Sequence, residues 1–150
     1  MTPGARIQAA IELIDQILAA WQSEKRFPAD KLLEQYFKSH RYIGSKDRGA
    51  VSELVYWSLR HKAALEWWLL RVRQQVHGRT YIYGALLLRK EYDAQSVMQI
   101  SKDGQYAPAP LDAAEMRLVA ARAGESIEHP EMPDHVRLNY PEWMDAQLRI

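Results

Sequence analysis

The segment RYIGSKDRGAVSELVYWSLR, residues 41–60, joins a helix start signal to an amphipathic pattern. Ser45 can cap a helix at its amino end, and Asp47 would then lie in the first turn, where a carboxylate interacts favourably with the helix dipole. The apolar residues that follow recur at helical spacing, with Arg60 at the far end. They are Val51, Leu54, Val55 and Leu59. The pattern predicts a helix over residues 45–60 with a buried face and a basic rim.

Similar helical patterns precede and follow this segment. Thr2 can cap a helix that ends near Trp21, whose indole we expect in the core, and Thr80 can cap another. Trp67 and Trp68 lie about 100° apart on a helix, so both are buried only if that helix is covered from two sides and is central. The predicted ranges are 2–21, 32–37, 45–60, 65–76, 81–92, 93–100 and 112–124. This arrangement favours an all-α bundle of about six to seven helices.

The last part of the chain has a different character. Prolines at 130, 133 and 141 forbid a continuous helix through an acidic stretch, which we expect to be an extended strap over residues 125–139. A further helix is predicted to start at Pro141. We therefore divide the chain into a helical domain, 1–124, and a segment, 125–150, that holds the strap and the start of a linker helix.

Composition limits the possible functions. The chain has 150 residues and is 47% apolar, which is enough for one compact domain. It has no cysteine, which excludes disulfides, thiolate metal sites and cysteine nucleophiles within it. The longest apolar run, residues 81–88, is far shorter than the roughly 20 residues of a membrane span. The first residues lack the apolar stretch of a secretory signal. We expect a soluble cytoplasmic protein that does not contact a membrane.

The net charge of +1 conceals a strong asymmetry. Residues 1–90 contain 15 Lys and Arg against 8 Asp and Glu, whereas residues 91–150 contain 5 against 11. Within residues 38–90 the ratio is 11 cations to 3 anions. Clustered cations gain from releasing the counterions condensed on phosphates, so the asymmetry favours a polyanionic partner. The alternative is a basic surface that is only solvated.

Several motifs, taken in order, resemble the N-terminal domain of the RsmB/Sun/Fmu-type ribosomal RNA cytosine-5 methyltransferases, a helical domain similar to the antitermination factor NusB. They are RIQAA at 6–10, YIGSKDR at 42–48 followed by LVY at 54–56 and LR at 59–60, APLDAAE at 109–115 and LNYPEW at 138–143. These motifs extend over nearly the whole chain. The resemblance implies a NusB-like bundle whose final segment leads into a catalytic domain.

The resemblance also implies a division of labour. In that family a cysteine adds to carbon 6 of cytosine, so that carbon 5 attacks the methyl group of S-adenosylmethionine, and a second cysteine aids release. This chain has no cysteine and no strand followed by a glycine-rich turn that would hold the cofactor. We therefore expect a non-catalytic fragment that contains no cofactor, with S-adenosylmethionine bound by a missing C-terminal methyltransferase domain that is also its partner.

Ribosomal RNA is the other expected partner, and the basic part of the chain is its expected contact surface. Tyr42 differs from the other aromatic residues because it lies in a polar, basic loop, whereas the tryptophans lie among aliphatic residues typical of a core. We expect Arg48 to pair with a carboxylate within the bundle. The predicted RNA-binding residues are Lys38, Arg41, Tyr42, Lys46, Arg60, Lys62, Arg71 and Arg73.

No metal site is expected, because no two of the five histidines are three or four residues apart. Two other functions remain open. The chain could be a free-standing NusB-like RNA-binding adaptor in antitermination, or a helical scaffold that packs against its own catalytic domain and binds no RNA.

Overall fold

A computed structural model describes residues 1–23 and 28–144, and within these residues the chain is helical with no strand. The predicted all-α class is therefore confirmed. Two short 3-10 turns, Ile100–Lys102 and Glu142–Met144, accompany eight α-helices in the described residues. The helices are α1 Pro3–Gln22, α2 Ala29–Ser39, α3 Ser45–Arg60, α4 Lys62–Arg71, α5 Gly78–Leu88, α6 Ala94–Gln99, α7 Ala113–Arg122 and α8 Asp134–Arg137.

Helix α5 is the centre of the bundle. It packs against α1, α3, α4, α6 and α7, and every residue of α5 except Arg79 is buried. The prediction that the helix carrying Trp67 and Trp68 is central was wrong. Residues 80–88 are apolar around the whole helix, and a helix of that kind is stable only when it is covered on all sides.

Helix α1 begins as predicted and ends differently. The side chain of Thr2 accepts a hydrogen bond from the Ala5 amide, and Pro3 occupies the first helical position. The face formed by Ile7, Ile11 and Ile14 is buried. Trp21 is 38% exposed, which corrects its expected core position. Burial declines through the last turn of α1, so helical spacing there no longer implies contact with a neighbour.

Helix α3 has the predicted range, but its capping differs. Gly44 occupies the N-cap position with no side-chain hydrogen bond, and Ser45 is the first helical residue, so Ser45 does not cap. Asp47 lies in the first turn, and its Oδ1 accepts a hydrogen bond of 2.6 Å from Arg6 Nε. This ion pair ties α3 to the start of α1.

Helix α4 stops at Arg71, five residues before the predicted end. Arg73 has a φ of 57°, in the left-handed region, where an α-helix cannot continue. The Gln74 amide donates to the Leu69 carbonyl at 2.8 Å and closes the end of the helix. Trp68 is buried, as expected for one of the two indoles, and Trp67 is half-buried.

Close backbone contact joins α5 to α1. The Gly78 amide donates to Asp15 Oδ1 at 2.7 Å, and a Cβ at Gly78 would lie 2.4 Å from the Ile11 carbonyl oxygen, so only glycine fits here. His77 is the N-cap of α5, and Thr80 Oγ1 accepts a hydrogen bond from the His77 amide. The capping role predicted for Thr80 is therefore shared with a residue three positions earlier.

The segment that follows α7 is only partly extended. Asp112 and Glu115 form a capping box, and α7 ends at Arg122, before Gly124 with its φ of 81°. Residues 134–137 form one helical turn, which corrects the expectation of a continuous extended strap. A proline excludes a helix only from the residues before it, and Pro133 stands at the N-cap of this turn.

The predicted final helix lies mostly outside the described residues, of which Glu142–Met144 form a 3-10 turn. Among the described helices, none has both the length and the apolar composition needed to cross a membrane.

Candidate nucleic-acid interface

Three cationic side chains meet where α2 ends and α3 begins. Lys38, Arg41 and Arg48 line a recess of about 440 Å³ together with Glu34 and Phe37, which we call the cationic recess. Lys38 Nζ lies 3.2 Å from Glu34 Oε1, and both side chains are largely exposed to water. Arg41 and Arg48 are exposed, and neither has an ion pair within the described residues. The recess can therefore offer positive charge to an anion.

Tyr42 stands beside this recess on a fixed turn. Its side chain is 70% exposed, whereas the next residue, Ile43, is buried in the core. The Ile43 amide donates to the His40 carbonyl at 3.0 Å, and the His40 ring stacks on Tyr36 with centroids 3.9 Å apart. A buried residue and a stacked ring thus hold the turn that presents Tyr42 to solvent.

On its other side Tyr42 borders a cleft of about 580 Å³ between the start of α1 and the loop that follows residue 102. Tyr106 in this loop is 66% exposed and also lines the cleft. Asp103 Oδ2 accepts a 2.8 Å hydrogen bond from the Gly4 amide, which fixes the loop to α1.

Two carboxylates lie in the cleft, whose lining is otherwise mainly apolar. Glu12 and Asp103 line it together with Gln8. The Tyr36 hydroxyl donates to Glu12 Oε2. Burial raises the pKa of Tyr36, and the neighbouring Glu12 carboxylate raises it further, so this hydroxyl stays protonated and remains a donor at neutral pH. The cleft is thus chemically distinct from the cationic recess.

The other predicted RNA-binding residues are dispersed. Lys46 and Arg60 are exposed at opposite ends of α3, about 21 Å apart along its axis. Lys62 pairs with Glu66 at 2.9 Å. Arg71 pairs with Glu131 at 2.7 Å and its guanidinium carbon lies 4.9 Å from the centre of the Trp67 ring.

Arg73 is exposed beyond the end of α4. The structure brings Lys38, Arg41 and Tyr42 together and places the other five predicted residues elsewhere.

Two residues of this surface were not predicted. Arg48 was expected to pair with a carboxylate, but it is exposed in the cationic recess without an ion pair in the described residues. The neighbouring residue Asp47 forms its ion pair with Arg6. For Tyr106 the sequence offered a single indication of a binding role, which is an aromatic residue inside a loop that contains Gly, Ala and Pro.

Among residues 1–23 and 28–144, no group of three or more His, Asp or Glu side chains could hold a metal ion. Comparison of the chain with protein-family models, curated proteins and solved structures found no match in any of the three. The family resemblance therefore stays a prediction that rests on the motifs of the sequence.

Proposed function

We propose that this chain binds RNA through the cationic recess and Tyr42. The observation that carries the proposal is a recess lined by three cations, next to the turn that exposes the Tyr42 ring to solvent. Single-stranded nucleic acids are bound by this combination, in which cations follow the phosphates and aromatic faces stack on bases. The exposed pair between Lys38 and Glu34 contributes little stability, so a phosphate can replace Glu34 at low cost.

The proposed larger role is that of an N-terminal RNA-positioning domain in a ribosomal RNA cytosine-5 methyltransferase. Two of the resembling motifs, 6–10 and 42–48, are joined by the ion pair of Arg6 with Asp47, and the second of them forms the turn beside the cationic recess. This placement supports a shared role for the motifs. Catalysis and S-adenosylmethionine would belong to a further domain in the cytoplasmic enzyme.

A partner surface for that domain is available at the far end of the described chain. Leu138 and Trp143 are both large apolar residues exposed to solvent, and Trp143 is 72% exposed. Exposed apolar groups of this size favour contact with another protein surface. The alternative function, a free-standing NusB-like adaptor, would use the same RNA surface. In that case the chain would act in antitermination without a methyltransferase domain.

The cationic recess gives the first prediction. Replacing Lys38 and Arg41 by Gln should weaken binding to a ribosomal RNA fragment with a single-stranded loop, because two phosphate contacts are lost. The slope of log affinity against log salt should fall by about 1–2 in magnitude. Fluorescence anisotropy over a range of salt concentrations measures both quantities.

The matched control replaces Lys62 and Arg71 by Gln, which removes the same charge from residues that pair with Glu66 and Glu131. This control should keep the parent slope. If both double variants lose the same slope, the attraction comes from overall charge and not from the recess. If the parent binds no RNA at all, the scaffold function is favoured.

The proposed separation of RNA binding and catalysis into different domains gives the second prediction. The chain alone should bind no S-adenosylmethionine and should transfer no methyl group to RNA, because it has no thiol and no glycine-rich cofactor loop. Isothermal calorimetry with the cofactor should show only heat of dilution. Binding in the micromolar range would contradict a cofactor site located solely in another domain.

A further inference from the structure

Tyr42 and Tyr106 are neighbouring aromatic residues that both line the cleft. Their ring centroids are 6.5 Å apart and their planes differ by 30°. This centroid distance lies within the usual range for a pair of aromatic rings. Stacked planar groups are separated by about 3.5 Å, so a third ring between two parallel ones needs a separation of about 7 Å. A small movement of the two exposed side chains would therefore admit one planar group.

We infer that Tyr42 and Tyr106 form a clamp for one unpaired nucleobase of a bound RNA strand, an inference that rests on the RNA binding proposed above. Both rings are more exposed than aromatic side chains with a purely structural role. A base inserted between them would cover both ring faces, and stacking of this kind accepts every base because each has a π-face. The clamp binds the base, and the cationic recess binds the phosphate.

Charge separates these two parts of the surface. Arg41 precedes Tyr42 in the chain and lies in the cationic recess, whereas Glu12 and Asp103 line the same cleft as the two rings. Carboxylates repel a phosphate and accept hydrogen bonds from base amino groups. A strand that follows the cations therefore turns its base edge, and not its backbone, toward the cleft.

The fold holds the backbone that carries each ring. Ile43 anchors the turn of Tyr42 in the core, as described above. On the other side a Cβ at Gly4 would lie 2.7 Å from the Cβ of Asp103 and 2.8 Å from the Ile100 carbonyl oxygen. The start of α1 thus packs closely against the loop of Tyr106. The backbone that carries both rings is therefore held in place, and only the two exposed side chains have to move when the base enters, which limits the cost of ordering.

The test compares two single strands of about eight nucleotides, which lies within the range of sites on single-strand binding proteins. One is an oligoadenylate, and the other has the same length and charge but lacks a base at every position. The parent protein should bind the oligoadenylate roughly tenfold more tightly, which is the effect expected from stacking one base. Tyr42→Ala and Tyr106→Ala should each reduce this ratio, and the double variant should bring it close to one.

Affinity for the abasic strand should be unchanged in all these variants, because its phosphates still meet the cationic recess. Tyr42→Phe and Tyr106→Phe keep the ring and should keep the ratio. Trp143→Ala removes an exposed ring that does not line the cleft and should also keep it. These controls separate stacking from a general loss of affinity.

A ratio that survives Tyr42→Ala and Tyr106→Ala would overturn the clamp. Equal affinity of the parent for the two strands, with the salt slope still dependent on Lys38 and Arg41, would overturn the clamp and leave the proposed function intact. Failure of the parent to bind either strand or the ribosomal RNA fragment would overturn both.

Discussion

Replacement of Trp68 by Ala is expected to lower the free energy of unfolding by roughly 3–5 kcal/mol. The side chain is 2% exposed and packs in the core. Its Nε1 donates a 2.6 Å hydrogen bond to the Ile127 carbonyl, so the indole also holds the segment after α7 against α4. Alanine would leave a large cavity and an unpaired carbonyl, and both effects destabilise the folded state.

Loss of Trp68 would also affect a buried cation. The guanidinium carbon of Arg122 lies 4.0 Å from the centre of the indole ring, in a cation–π arrangement. Burial lowers the pKa of Arg122, and its Nε has no hydrogen-bond partner within the described residues. The ring face is therefore an important contact of this cation, and its removal adds to the cost.

Urea denaturation followed by circular dichroism measures the change, and the melting temperature should fall by about 6–20 °C. Trp21→Ala is the matched control, because it removes the same side chain from a site that is 38% exposed. Its loss should stay near or below about 1 kcal/mol. Melting of the Trp68→Ala variant within a degree or two of the parent would contradict a core role for this indole.

The second large effect is expected for Glu115→Ala, which should cost roughly 3 kcal/mol. Glu115 is buried, and its two oxygens accept hydrogen bonds from Arg79 at 2.6 and 2.9 Å. Oε1 also accepts from the Asp112 amide at 2.9 Å and completes the capping box of α7. The hydrogen bond with Glu115 raises the pKa of Arg79 and favours its charged form. Alanine would leave that charge partly buried without its partner.

A double-mutant cycle tests this explanation. Arg79→Met together with Glu115→Ala should cost clearly less than the sum of the two single changes, because the double variant leaves no unpaired buried charge. Glu34→Ala serves as the control, since it breaks an exposed pair and should cost no more than about 0.5 kcal/mol. Strict additivity at Arg79 and Glu115 would show that the two side chains act independently.

Local signals in the sequence were sufficient for much of the fold. The range of α3 and the capping of α1 by Thr2 follow from residues within a few positions of each other, and the structure confirms them. The central position of α5 in the bundle could not be predicted from helical spacing alone, because it depends on which helices surround α5. The early end of α4 depends on the backbone angle of Arg73, and no neighbouring residue in the sequence predicts that angle.

The candidate site shows the same distinction. Lys38, Arg41 and Tyr42 were predicted together because they are close in the chain. Tyr106 reaches Tyr42 only through tertiary packing, by way of the hydrogen bond between Asp103 and Gly4. Counting charges also could not show that Arg71 is partnered by Glu131 from the acidic segment. A cation therefore counts toward a binding surface only when its partners are known.

The burial of α5 has a consequence for the synthesis of the chain. Residues 78–88 emerge from the ribosome before α7, which packs against α5. The 24 residues between the two helices take a few seconds to translate at about 5–20 residues per second. During that interval α7 cannot yet cover the apolar surface of α5. The earlier helices α1, α3 and α4 must cover it alone. The nascent chain thus passes through a stage that is prone to aggregation and suited to chaperone binding.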